Sequence, residues 1–244
     1  MRYMNYICIF LVSVIIISCN KSSPDCFKKA GKETSMERIM TPFKVVTLET
    51  NIDVTLVKGN EYKVEIFGGA NLLEKVRTSV ESGTLMIDND NACNFVRGYD
   101  DKLKITVTAP EYDKVITNSV GNIITHADFI QDTMFFSSEG GDIFIYGNYT
   151  ELKTSSHGNG NIYFKGTTTK MYSYMNGTNY LYAEEGTVTN YIFIESVSLA
   201  DAYITAPTNG TFEYHIWKTG NIYYKGTPAA VNGKSERGGI AIKN

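Results

Sequence analysis

Three histidines, five glutamates and four cysteines are the side chains whose chemistry has to be accounted for first. His126, His157 and His215 stand 31 and 58 residues apart. Zinc sites draw on closely spaced ligand pairs, and this chain offers none, so no metal site is expected. Glu139, Glu184, Glu185, Glu195 and Glu213 offer the carboxylates that acid–base cleavage would need. They do not recur at one point of the chain's repeat, so they read as solvated faces. Gly-x-Ser-x-Gly, His-Glu-x-x-His and phosphate-loop patterns are absent. These residues imply no catalytic group and no cofactor, and the chain reads as a non-enzyme.

The cysteines carry chemistry of another kind. Arg2 is the only charge in the first eighteen residues, and Ile7 to Ile17 is apolar apart from Ser13. A charged start followed by a short apolar run is an export signal, too short to span a bilayer. It ends in Ile16-Ile17-Ser18-Cys19, which resembles the bacterial lipobox. Residues 1–18 are therefore expected to be removed, Cys19 to carry lipid, and residues 19–40 to act as a tether. The expected address is the outer membrane, as a lipoprotein facing either the periplasm or the exterior. Cys8 leaves with the signal. Cys26 and Cys93 then remain in an oxidising compartment and are expected to pair. Closing the 67 residues between them contributes roughly 4 kcal/mol on the chain-entropy relation.

Composition narrows the class further. The chain has 244 residues, 43% of them hydrophobic, with 17 Tyr, 12 Phe and 1 Trp. A disordered chain lacks such aromatic content. A formal net charge of −3 argues against a nucleic-acid partner, because phosphate neutralisation needs a basic excess.

The elements that position these residues come from a repeat. Gly121-Asn122-Ile123, Gly141-Asp142-Ile143, Gly160-Asn161-Ile162, Thr178-Asn179-Tyr180, Ala200-Asp201-Ala202 and Gly220-Asn221-Ile222 share one pattern. Gly238-Gly239-Ile240 is a degenerate last copy. The Asn/Asp positions are 20, 19, 18, 22 and 20 residues apart. A second apolar run opens within each unit, at Met134, Leu152, Met171, Tyr191 and Phe212. Two short strands and two turns in about twenty residues make one coil of a β-solenoid, and coils must stack to bury their inner faces. The expected fold is all-β: a parallel β-helix of about seven coils over residues 111–244. A sandwich of hairpins is the competing architecture, but its turn signals should recur every 8–12 residues. Residues 41–110 form a β-rich N-terminal region that either caps the solenoid or precedes it as a small sandwich. Stacked Asn side chains are expected to form a hydrogen-bonded ladder.

Alternation sorts the strand residues into two columns. Ile123, Ile143, Ile162, Tyr180, Ala202 and Ile222 read as the inner one. Ile124, Phe144, Tyr163, Leu181, Tyr203 and Tyr223 then point outward. Phe144, Tyr163, Tyr203 and Tyr223 are the candidate binding residues, because rings in a row offer contact area at low entropic cost. The alternatives are cover by a second layer, or plain cross-strand stabilisation.

The recurring Gly-Asn-Ile, with Ser119 to Ile123 and Lys218 to Gly226, resembles the head GIN domain of auto-transporter adhesins. Pro42 to Val46, Asn51 to Val54, Gly83 to Leu85 and Asp88 to Asn94 fit the same pattern. The chain departs from it in the fifth coil, where Ala200 and Ala202 stand for Gly and Ile. The resemblance implies an exported β-helical protein and supplies no catalytic residues. The functional expectation is a lipid-anchored, adhesin-like binding module of the cell envelope. Its expected partners are the membrane, through the anchor, and a polysaccharide or an envelope protein. A structural or assembly role is the alternative, and a β-helical carbohydrate-active enzyme comes third.

Overall fold

A computed structural model describes residues 29–91 and 103–244. Cys19, Cys26, Cys93 and the expected signal at 1–18 lie outside these residues, as does the first part of the tether.

The repeat folds into two parallel ladders. β8 (Lys114–Thr117), β10 (Ile130–Ser138), β14 (Thr187–Ser198), β16 (Thr211–Ile216) and β18 (Ala230–Ser235) belong to a back ladder. β9 (Ile123–Thr125), β13 (Leu181–Ala183), β15 (Ala202–Thr205), β17 (Ile222–Lys225) and β19 (Ala241–Lys243) belong to a front ladder. β11 (Ile143–Gly158) and β12 (Ile162–Gly177) start in the front ladder and end in the back one, joining both into one sheet. The result is a parallel solenoid of about six turns, close to the seven coils expected.

Glycine makes the corner between the ladders possible. Gly147 has φ 106°, and a Cβ there would lie 2.1 Å from the Phe129 carbonyl oxygen. Gly166 stacks on Gly147 in the next layer, where a Cβ would come within 2.0 Å of the Gly147 oxygen. No side chain larger than hydrogen fits either position.

Between the ladders lies one continuous core. Ile123, Ile143, Ile162, Leu181, Ala202 and Ile222 enter it from the front, and Met134, Leu152, Met171, Ile192 and Phe212 from the back. The fifth coil keeps its place with small residues, Ala202 being buried between Leu181 and Ile222. Within the core Thr154 Oγ1 donates to Ser173 Oγ at 2.9 Å, whereas the buried Ser156 Oγ and Thr50 Oγ1 have no hydrogen-bond partner among the described residues.

The N-terminal strands extend the same ladders. β2 (Val45–Leu48) pairs in parallel with β8, and β3 (Asp53–Lys58) with β9. β6 (Thr84–Asn89) and β7 (Lys104–Ala109) add one more layer outside β2 and β3. Spatial order therefore departs from chain order at this end. Antiparallel strands finish it: β4 (Lys63–Gly69) on β7, β1 (Glu33–Ile39) on β4, and β5 (Val76–Glu81) on β6. Arg38 on β1 ties the two edges together. Its guanidinium donates to the carbonyls of Val76 and Leu73 and to Thr78 Oγ1. Burial lowers the pKa of that group. The short helix α1 (Ala70–Leu73) lies at this end.

Candidate functional site

The front ladder's outer face is built one residue per layer. Register places Phe144 beside Tyr163, Tyr163 beside Tyr182, Tyr182 beside Tyr203 and Tyr203 beside Tyr223. Their ring centroids are 4.7, 4.9, 5.6 and 5.2 Å apart, and no pair deviates from parallel by more than 14°. Carbons in contact sit about 3.5 Å apart, so parallel rings at these spacings are offset, like shingles. Each ring keeps an edge and part of a face uncovered. All five are half-buried, and Ile124 and Ile242 extend the strip at its ends.

All four residues singled out from the sequence are thus in the column, together with a fifth, Tyr182. Alternation had placed Tyr180 inside and Leu181 outside. The structure reverses them: Leu181 is 0% exposed and Tyr180 37%. The cause is Asn179. It turns inward, fully buried, and its amide donates to the carbonyls of Ser156, Gly158 and Asn176. Tyr180 takes the anchor position in that coil, and its ring stacks on Tyr182 at 5.7 Å. The spacings of 18 and 22 on either side of Asn179 were the available signal. Counted from Tyr180 they become 19 and 21.

In place of stacked Asn side chains bonding one another, a mixed Asn and Asp ladder that accepts from backbone N–H groups of the next layer flanks the column. Asn122 Oδ1 accepts from Asp142 N, Asp142 Oδ1 from Asn161 N, and Asn161 Oδ1 from Tyr180 N. After the gap at Tyr180 it resumes, with Asp201 Oδ1 accepting from Asn221 N and Asn221 Oδ1 from Ile240 N. Acidic members and amide members do the same structural job. The hydroxyls of Tyr182 and Tyr203 have raised pKa values, first because of desolvation and then because of nearby phenols and of Asp201, with Asp142 also acting on Tyr182.

On the other flank lies a groove of about 740 Å³. Phe144, Tyr163 and Tyr182 form one wall, while Tyr146, Lys165 and Glu184 form the other. The stacked Gly147 and Gly166 leave the notch beyond them open. Its volume falls in the range of ligand clefts.

The remaining chemistry-bearing residues are dispersed. His126 pairs with Asp128, His157 Nε2 lies 3.0 Å from Ser155 Oγ, and His215 Nε2 lies 3.2 Å from Glu236. Glu195 accepts from the Trp217 indole, Glu213 from the Tyr191 hydroxyl, and Glu185 pairs with Lys165. Among the described residues, no three His, Cys, Asp or Glu side chains are grouped to hold a metal. No helix among them is long and apolar enough to cross a membrane.

A parallel β-solenoid with a half-exposed aromatic column on one outer face is the class these features define. The family described as "Putative auto-transporter adhesin, head GIN domain" matches residues 42–228, and the chain belongs to it. The fold recurs in a "putative adhesin" from Bacteroides fragilis NCTC 9343, at 19% identity and TM-score 0.69. That match covers 87% of this chain and 97% of the other. A "putative lipid binding protein" from Parabacteroides distasonis ATCC 8503 gives 19% identity and TM-score 0.65, over 88% and 97%. A "putative adhesin" from Parabacteroides merdae ATCC 43184 gives 18% and 0.56, over 88% and 98%. No curated protein sequence matches the chain.

Proposed function

We propose that this protein is a non-catalytic, adhesin-like module held on the outer membrane by lipid on Cys19, and that its front outer face binds glycan. The observation that carries the binding reading is the five-ring column beside an open groove, with no described strand packed over it. Offset rings present apolar surface to a sugar, and the neighbouring amides, hydroxyls and carboxylates supply hydrogen-bond partners. A non-catalytic role is supported by the carboxylates, three of which are each engaged by a different partner. The family description supports an envelope or surface setting.

A glycan array of the soluble mature chain tests the reading. Bound glycans should be lost from the Tyr163→Ala/Tyr223→Ala variant while its thermal transition remains cooperative. Retained binding in that variant removes the site from the column. Cys19→Ala should release the protein from membranes, and protease treatment of intact cells reports which side of the membrane it faces.

A further inference from the structure

The front outer face is electronegative as well as aromatic. Around Tyr163, Tyr182 and Tyr203 stand Asp142, Asp201, Glu184, Glu185 and Lys165. Lys165 and Glu185 neutralise each other at 2.8 Å. Asp142 and Asp201 each give one oxygen to a backbone N–H of the next layer. Neither they nor Glu184 form an ion pair among the described residues. Lys225 lies beyond the groove, two residues past Tyr223 at the far end of the column. Three unneutralised carboxylates therefore line both flanks of the central rings. Asp201 acts on the hydroxyls of both Tyr182 and Tyr203, so the field reaches the rings themselves.

That field selects among sugars. A uronic acid or sulfated chain would bring like charge against like. A neutral chain would replace water on the carboxylates with hydroxyl hydrogen bonds but bring no opposite charge to them. An ammonium-bearing chain would meet opposite charge on each flank while its apolar faces lie on the inclined rings. The walls of the groove are columns that repeat once per layer, and a polymer aligned with the solenoid axis repeats its contacts with them. Resting on the glycan reading above, we propose that the ligand of this groove is a linear glycan with free amino groups. Its chain lies along the axis over Phe144, Tyr163 and Tyr182, with ammonium groups at Glu184 and along the Asp142 and Asp201 side.

Glucosamine hexamer and N-acetylglucosamine hexamer share a backbone and differ in charge, so they serve as the two probes. In calorimetric titrations of the soluble mature chain, the amino hexamer should bind about tenfold more tightly. Added salt should erode that preference. Asp142→Asn, Glu184→Gln and Asp201→Asn together should bring the two affinities close to equal. The fold should survive, because Asn already serves the ladder at positions 122, 161 and 221. Glu81→Gln, on the edge strand at the other end, should leave the ratio unchanged. Equal affinity for the two hexamers overturns the amino-sugar inference and leaves glycan binding standing. So does a preference that survives the triple variant, or one that Glu81→Gln lowers as much. Binding of neither hexamer also overturns it, and a blank array would then remove the glycan reading as well.

Discussion

Two files of aromatic rings are present in this protein, one inside the core and one outside. Phe43, Tyr112, Phe129 and Tyr149 follow one another at centroid distances of 6.4, 5.5 and 6.0 Å, all buried. Phe144, Tyr163, Tyr182, Tyr203 and Tyr223 follow one another at 4.7 to 5.6 Å, all half-buried. The inner rings are inclined to each other by 33° to 60°, the outer rings by no more than 14°. Inside, a ring must fill the space that its neighbours leave, and its angle follows from close packing. Outside, no facing layer imposes an angle, so strand register alone sets the rings parallel. The inner file ends at Tyr149, beyond which the ladder carries Thr168 and Val188. The outer file continues to Tyr223. Burial uses the inner rings up, whereas the outer ones remain available to a ligand.

Truncation should separate the two files most sharply. Phe129→Ala empties a fully buried site and should cost about 3–5 kcal/mol, read from urea unfolding. Tyr203→Ala removes two outer stacking contacts, each about 0.5–1.5 kcal/mol, and should lower stability less while weakening ligand binding. A Tyr203→Ala loss as large as that of Phe129→Ala would show that the outer file is structural, and the comparison would fail. Tyr112→Phe is finer. The Tyr112 hydroxyl lies 2.9 and 2.8 Å from the carbonyl oxygens of Val57 and Val107 and shares its proton between them. Removing it should cost about 1 kcal/mol in the same measurement. Burial also raises the pKa of that phenol, so a spectroscopic alkaline titration should find it ionising above the ordinary phenol range. Lys165→Ala breaks an exposed rim pair and should change stability by less than about 1 kcal/mol.

Much of this was legible in the chain. The spacing of Gly-Asn-Ile units marked the coils, because glycine allows the tight approach between layers at Gly121, Gly141, Gly160 and Gly220 and a short polar side chain reaches the next backbone N–H. Phe144, Tyr163, Tyr203 and Tyr223 could be placed on one face by counting two residues from each anchor. Counting failed at Asn179. There the most anchor-like residue is buried for its own hydrogen bonds, and Tyr180 stands in the ladder instead. Local pattern cannot show which of two adjacent residues turns inward when both choices leave an alternating strand. The N-terminal layers were hidden for a different reason. β2, β3, β6 and β7 carry no repeat motif, and β2 and β3 lie between a layer that follows them in the chain and another that follows later still.

The sequence by itself determined the all-β solenoid, its twenty-residue period and four of the column's five rings, since all of these rest on contacts between neighbouring repeats. Only the tertiary structure decided the fifth ring, the groove beside it and the unneutralised carboxylates around it. Those depend on which side chains from separate layers meet and which charges find partners, and neither is a property of any one repeat.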